Sequence, residues 1–365
     1  MFKLKNMPLD AFNSILVTTI PGLEDIVLDD LKNTINFKEG IKCPNGLRGK
    51  VLIKGVSKVS LERLLKLRSI ERIIMLLGST KIAKKREGLH AIYKYCLKLP
   101  FEYFITPHTR IAVISQREGN QEYTSLDISR VVGQAIIDRI INEYGIRPPV
   151  DLDYPDIAIY AEVMNDTFMV GIDTTWPYAL HNRDYRKYIH PSSLRPTIAY
   201  ALVKLSRAKD KELILDPMCG GGTILIEATL TFPHLKAFGM DINQVFVKGA
   251  FKNVSAAGVK GRVILKVGDA RILDKEFPNV EFDRIITDPP YGIRMRPRGL
   301  KELYERFLRS SLSILRDNGT LTLITIQRRL TLSIASKLHY RTVHLRKIYQ
   351  GGLYSYVIVL EKHVS

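Results

Sequence analysis

The chain has 365 residues, 45% of them hydrophobic and 25% charged, a composition that excludes a disordered protein and allows two or three packed domains. Its 55 Lys and Arg against 37 Asp and Glu leave a formal net charge of +18, which points to a polyanionic partner, because cationic side chains release counterions from nucleic-acid phosphates. No concentrated basic amphipathic segment of the kind that binds membrane surfaces is present, and no apolar span approaches the about twenty residues of a membrane-crossing helix.

Residues 1–8 contain no apolar core of signal-peptide length, so a cytoplasmic location is expected. Residues 14–20 are apolar and β-branched and read as a strand, which Pro21 and Gly22 turn. Leu23, Ile26, Val27 and Leu31 then recur at helical spacing, with acids near the start. A strand at 50–54 and an amphipathic helix at 60–68 complete a small α/β domain over residues 1–68. Cys43, Cys96 and Cys219 are far apart and form no Cys-x-x-Cys pair, so neither a disulfide framework nor a zinc site is expected, and no other metal is.

A second unit is expected over residues 69–175. Lys81, Lys84, Lys85 and Arg86 read as a solvated basic loop, followed by a helix at 89–97 and an alternating strand at 110–117. Thr124 and Asp127 have capping-box spacing before a long helix with one apolar stripe, which Pro148 and Pro149 are expected to stop. Strands at 157–163 and 167–173, joined at Asn165 and Asp166, close the unit. The strand ending at Arg117, the link Glu-Gly-Asn-Gln-Glu-Tyr-Thr-Ser at 118–125 and the helix with Asp127, Val132, Gly133 and Ala135 resemble a THUMP domain. That resemblance implies binding to the end of the tRNA acceptor arm.

Residues 176–190 read as an inter-domain linker rich in Arg, His and Tyr. Its interleaved rings and cations, among them His181, Arg183 and Arg186, also suit splayed nucleotides. A helix is expected from Pro191 to Lys204.

From Leu213 onward, strand and helix patterns alternate as in a doubly wound parallel sheet, giving an α/β domain over 191–365. Four successive strands end in acids, at Asp216, Asp241, Asp269 and Asp288, which places all four along one sheet edge, where such folds bind ligands. Asp216 leads into Pro-Met-Cys-Gly-Gly-Gly-Thr223, a turn that lets a ligand approach the backbone. The turn lacks both the Gly-x-Gly-x-x-Gly spacing of nicotinamide sites and the Lys of a P-loop. Asp241 suits a ribose diol, and Asp269 with the Ala270 backbone suits an adenine.

Asp288-Pro-Pro-Tyr291 is the most specific motif. An exocyclic amine on an aromatic base is a poor nucleophile, because its lone pair is delocalised into the ring. The Asp288 carboxylate and the Pro289 carbonyl can accept its two hydrogens while Tyr291 stacks on the extruded base. Cys219 lies in the glycine turn rather than in this loop, which argues against attack on a pyrimidine carbon. Beyond the motif, Arg294, Arg296, Arg298 and Lys301 could meet phosphates.

The motif order resembles a class I (Rossmann-like) methyltransferase, and the whole chain resembles THUMP-containing tRNA (guanine-N2-)-methyltransferases, in particular those acting at position six of the acceptor stem. The linker His-x-Arg-x-Tyr-Arg from His181, the turn at 193–197, the glycine turn and the late Gly351-Gly352 carry the resemblance. It implies S-adenosylmethionine as cofactor, tRNA as partner, no metal, and a monomer. The cofactor residues it implies are Ser193, Leu194 and Thr197, then Asp216, Met218, Cys219, Gly220, Gly222 and Thr223, with Asp241, Ile242, Asp269, Ala270 and Asp288. Asp288, Pro289 and Tyr291 would be catalytic. Arg117, His181, Arg183, Arg186, Arg294 and Arg296 would contact RNA. Enzymes acting at position ten also carry Asp at the place of Asp288, so that substrate remains an alternative, as do a ribosomal RNA guanine and a non-catalytic RNA-binding protein.

Overall fold

A computed structural model describes residues 12–56, 61–292 and 299–362. It divides into two compact units, Met1–Thr19 with Val27–Leu180, and Ile20–Ile26 with His181–Ser365. Among the described residues no helix is long and apolar enough to cross a membrane.

The first unit is built on one seven-stranded sheet in the order β2-β3-β1-β4-β7-β6-β5. These strands are β1 (Ser14–Thr18), β2 (Glu39–Lys42), β3 (Lys50–Lys54), β4 (Arg72–Lys81), β5 (Ile111–Glu118), β6 (Ile157–Met164) and β7 (Thr167–Asp173). Helices α1 (Glu24–Lys32) from Val27 onward, α2 (Leu61–Leu65), α3 (Glu87–Leu97) and α4 (Ser125–Tyr144) accompany them, the first three residues of α1 belonging to the second unit. β4 was not expected from the sequence, and it is the strand that joins the halves. It pairs antiparallel with β1 on one side and β7 on the other. The expected small domain and THUMP segment therefore share one sheet and one apolar core, which runs from Ile15 and Val17 to Val170 and Ile172. Lys81, expected in a loop, ends β4 and pairs with Asp166 at 2.7 Å.

The cap of α4 forms as its spacing predicts: Asp127 N donates to Thr124 Oγ1 at 3.2 Å and Thr124 N donates to Asp127 Oδ2 at 2.8 Å. The helix ends earlier than Pro148 would require, because Gly145 takes the left-handed conformation, φ 68°, and closes the last turn onto Ile141.

The second unit contains α5 (Pro196–Leu205), β8 (Leu213–Asp216), α6 (Thr223–Thr231), β9 (Lys236–Asp241), α7 (Gln244–Ala256), β10 (Val263–Val267), α8 (Leu273–Glu276) and β11 (Phe282–Thr287). α9 (Leu300–Ile314), β12 (Leu315–Thr325), α10 (Arg328–Lys337), β13 (Tyr340–Gln350) and β14 (Leu353–Lys362) complete it. The sheet order is β10-β9-β8-β11-β12-β14-β13. Strands β10 to β12 are parallel, whereas β14 and β13 run antiparallel, so the sheet is mixed at one edge rather than parallel throughout. One face packs on α5, α6 and α7 through Ile198, Leu225 and Val254, and the other on α8, α9 and α10 through Leu273, Phe307 and Ile334. Chain order reverses between β8 and β11, which makes their carboxyl ends the ligand crevice of such a fold.

α5 begins at Pro196 rather than Pro191, with the proline in the first turn, where its missing N–H costs nothing. Residues 181–190, expected as a linker, pack within the second unit. The Tyr185 hydroxyl donates to Glu227 Oε1 at 2.8 Å, and Tyr188 exchanges hydrogen bonds with Asn253 of α7 at 2.8 and 2.9 Å. Ile20, Leu23 and Ile26 are buried in the same core. Arg346 of β13 makes a two-pronged pair with Asp25, both contacts at 2.6 Å.

Candidate active site

A cavity of about 770 Å³ opens at the carboxyl ends of β8, β9, β10 and β11, within the range typical of small-molecule sites. Each of these strands terminates in, or just before, an acid. Asp216 ends β8, Asp241 ends β9, Asp269 lies two residues beyond β10, and Asp288 directly follows β11. All four line the cavity, as do Ser193, Leu194, Met218, Cys219, Gly220 and Thr223. Ile242, Ala270, Pro289 and Tyr291 complete the expected part of the wall.

The glycine turn between β8 and α6 needs its glycines. Gly220 and Gly222 have φ of 49° and 77°, and a Cβ at Gly222 would lie 3.3 Å from that of Ala250. Gly220 N donates to Asp241 Oδ2 at 3.0 Å, tying the turn to the next strand end, and Asn243 N donates to Oδ1 at 2.9 Å. Ile242 beside it is 67% exposed, an apolar shelf at the mouth.

Asp216 sits at the base of the cavity, where its Oδ1 accepts from Thr287 Oγ1 at 2.8 Å. Burial pushes its carboxyl up to about 8, and the neighbouring Asp288 and Asp241 add to the rise. Burial likewise raises Asp288 to about 7, against the opposing hydrogen bond from the Tyr291 hydroxyl. Burial, with Asp216 and Asp241 nearby, holds the Cys219 thiol well above its ordinary range, so it carries no thiolate for nucleophilic attack. Asp269 behaves differently. Arg271 forks onto it with Nε and Nη2 at 2.6 to 2.9 Å, and this bond holds the carboxyl below its usual range.

The Asp-Pro-Pro-Tyr loop is braced from behind. Tyr304 donates to the Pro290 carbonyl at 3.4 Å and shares a 2.8 Å bond with Thr325, while Gln327 Nε2 donates to the Tyr291 carbonyl at 3.0 Å. The Tyr291 hydroxyl itself donates to Asp288 Oδ1.

Other expected residues lie elsewhere. Thr197 is fully buried in α5, and neither it nor Gly222 lines the cavity. Arg183 pairs with the buried Glu227 at 3.3 Å, which makes it a structural cation rather than a surface one. Arg186 donates to Ser193 Oγ at 2.8 Å and so fixes a cavity residue. His181 belongs to the second unit, and Arg117 belongs to the first, where it donates to Gly119 O and Gln121 Oε1. Arg294, Arg296 and Arg298 fall outside the described residues.

Sequence reasoning also missed residues of the wall. His190 is 7% exposed, packs edge-on to Phe246 at 4.1 Å and lies along Gly220. Burial lowers its pKa, so the ring is neutral, with Nδ1 accepting from Ser192 N at 3.1 Å. Its Nε2 and the Ser192 hydroxyl are buried without hydrogen-bond partners among the described residues. Polar atoms left open beside a side-chain-free turn, with acids at three successive strand ends, fit a ligand carrying a polar head, a ribose and a base. Gln350, Gly351, Leu353 and Ser355 enter from the β13–β14 hairpin, whose Gly351-Gly352 was expected from the sequence but not as part of a cavity wall.

The mixed sheet order, the glycine turn and the acids at the strand ends define a class I methyltransferase domain behind a THUMP-bearing unit. The family model described as "RMKL-like, methyltransferase domain" matches residues 183–356, and the THUMP domain model matches 86–173. The tRNA (guanine(6)-N2)-methyltransferase of Archaeoglobus fulgidus is 32% identical over 369 residues, covering 94% of this chain and 90% of that protein. Its namesake in Methanocaldococcus jannaschii is 33% identical over 382 residues, covering 94% and 98%. The crystal structure of TrmN from Thermus thermophilus superposes with a TM-score of 0.83 at 29% identity, covering 96% of this chain and 99% of that one. The chain belongs to the tRNA (guanine(6)-N2)-methyltransferase family.

Proposed function

We propose that the protein methylates the exocyclic N2 of guanosine at position six, in the acceptor stem of tRNA, using S-adenosylmethionine, as a cytoplasmic monomer that needs no metal. The observation that carries this reading is that Asp288 and Tyr291 line one cavity with the glycine turn and Asp241, so a loop able to hold an amine opens on the same space as groups suited to a nucleoside. Similarity over nearly the whole chain to position-six enzymes favours that position over others.

When bound, the cofactor supplies an electrophilic methyl group. Asp241 offers acceptor oxygens to ribose hydroxyls, and Ile242 offers apolar surface to the base. Ser192 and neutral His190 offer polar groups beside the turn. Asp288 accepts one hydrogen of the guanine amine and the Pro289 carbonyl the other, which localises the nitrogen lone pair for attack. A carboxyl near 7 can then take the proton released as the N–C bond forms. Tyr291 presents its ring to the base, and Tyr304 and Gln327 keep the loop in place. The THUMP-bearing unit supplies affinity for the acceptor arm, with Arg117 among its cations.

The test is transfer of labelled methyl to total tRNA, followed by nucleoside analysis and mapping. N2-methylguanosine at position six is expected. Label confined to another position would move the substrate, and label absent from N2 would overturn the reading.

A further inference from the structure

The hairpin that contributes to the cavity carries a second feature on its other face. Side chains alternate along β13 and β14, so Ile348 and Ser355, 1% and 2% exposed, face inward. The cross-strand pairs Lys347 with Tyr356 and Tyr349 with Tyr354 therefore share the opposite face. There the Tyr349 and Tyr354 rings meet at 5.0 Å yet remain 41% and 48% exposed. Lys347 Nζ stands 3.7 Å from the centre of the Tyr354 ring, and the Arg328 guanidinium 5.4 Å from that of Tyr356. The result is a strip of alternating cations and rings. It starts one residue from Gln327, whose side chain holds the Tyr291 carbonyl.

The charges on this strip run against local electrostatics. Arg328 and Arg329 are the first residues of α10, whose first turn contains no acid, although a helix start favours anions. Among the described residues neither has an ion-pair partner, and both are exposed. Unneutralised cations at the positive end of a helix, next to half-exposed rings, match a ligand that brings its own negative charge and flat faces.

We propose that this strip, Arg328, Tyr356, Lys347, Tyr354 and Tyr349, binds the RNA strand flanking the target guanosine. Tyr349 and Tyr354 stack on bases unpaired when the target nucleotide leaves the stem, and the cations meet the phosphates between them. The proposal rests on the reading of the chain as an enzyme acting on RNA. It assigns to the methyltransferase unit an RNA contact of its own, separate from the THUMP-bearing unit.

The test uses the full-length protein and a fluorescently labelled, unmodified tRNA transcript with guanosine at position six, with binding measured over a series of salt concentrations. Replacing both Tyr349 and Tyr354 by Ala should raise the KM and Kd for tRNA roughly ten-fold or more, as loss of a stacked base does, with cofactor affinity unchanged. Tyr354→Phe should retain wild-type affinity. Lys347→Ala and Arg328→Ala should each lower the slope of log affinity against log salt by about one. If the double alanine variant does not fold, Lys347→Glu and Arg328→Glu decide the question on the same slope. Folded variants with unchanged KM and unchanged slope overturn the proposal. Binding is read independently of methyl transfer, so a strip that binds tRNA in a protein that does not methylate N2 would sink the proposed function and leave this inference standing.

Discussion

The hydroxyl of Tyr291 donates to Oδ1 of Asp288, three residues earlier in the same loop. The contact gives Tyr291 a role beyond presenting its ring, because this hydrogen bond opposes the rise that burial imposes on the Asp288 carboxyl.

The pH dependence of methyl transfer follows from it. In the proposed reaction Asp288 must be ionised to take the proton that the amine loses, so single-turnover rates should climb with pH through about 7. Tyr291→Phe keeps the ring and removes the donor that favours the charged form, so the midpoint should move to higher pH. An unmoved midpoint would show that the hydroxyl does not tune the carboxylate. Asp288→Asn should lower the rate by about 10²- to 10⁴-fold with cofactor affinity retained, checked by stopped transfer assays and equilibrium binding.

Asp216 makes a separate statement about stability. Its carboxyl stands at about 8 in the folded protein against an ordinary 3.8, so between those values the native state holds a proton that the unfolded chain has released. Stability should therefore be fullest below about pH 4 for this group and fall as pH rises through about 8. Asp216→Asn keeps an acceptor for Thr287 and cannot ionise, so thermal unfolding of the ligand-free variant should decline less over that window. Parallel wild-type and variant curves would contradict the assignment.

Asp241 bonds the backbone of the glycine turn through one oxygen and that of Asn243 through the other. Asp241→Ala removes both ties and the acceptors offered to a ribose. Cofactor affinity measured by calorimetry should fall by about ten- to a hundred-fold, in line with one or two charge-assisted hydrogen bonds. Affinity for tRNA should be retained.

Gly249 tests the packing of residues 181–190 on α7. Alanine in a helix interior ordinarily gains about 1 kcal/mol over glycine. Here an added Cβ would fall 2.2 Å from Tyr188 Cδ1, on a ring whose backbone is pinned by Asn253. Overpacking of that kind costs about 1 to 3 kcal/mol or more, so the clash wins and Gly249→Ala should lower the melting temperature. A raised melting temperature would mean the segment is free to lift.

Much of the site was legible because its chemistry is local in sequence. A strand ending in an acid is a short pattern, and four of them in order suffice to put Asp216, Asp241, Asp269 and Asp288 on one edge. Elements defined by distant partners were not legible. β4 is apolar with a polar end, and only its pairing with strands from both ends of the unit marks it as central. The ion pair of Arg183 was not legible, because nothing in its neighbourhood announces Glu227, 44 residues later. Arg271 was passed over beside Asp269 because a fork between residues two apart depends on the turn they adopt.

Asp25 and Arg346 are 321 positions apart, yet they lie in one unit with Ile20 and Leu23 at its core. During synthesis those early residues emerge long before the strand that receives them. The second unit is therefore finished only once β13 has been synthesised. A fragment that starts at residue 181 would begin life with a hole where Ile20, Leu23 and Ile26 belong, and its mate would carry those three side chains bare to water.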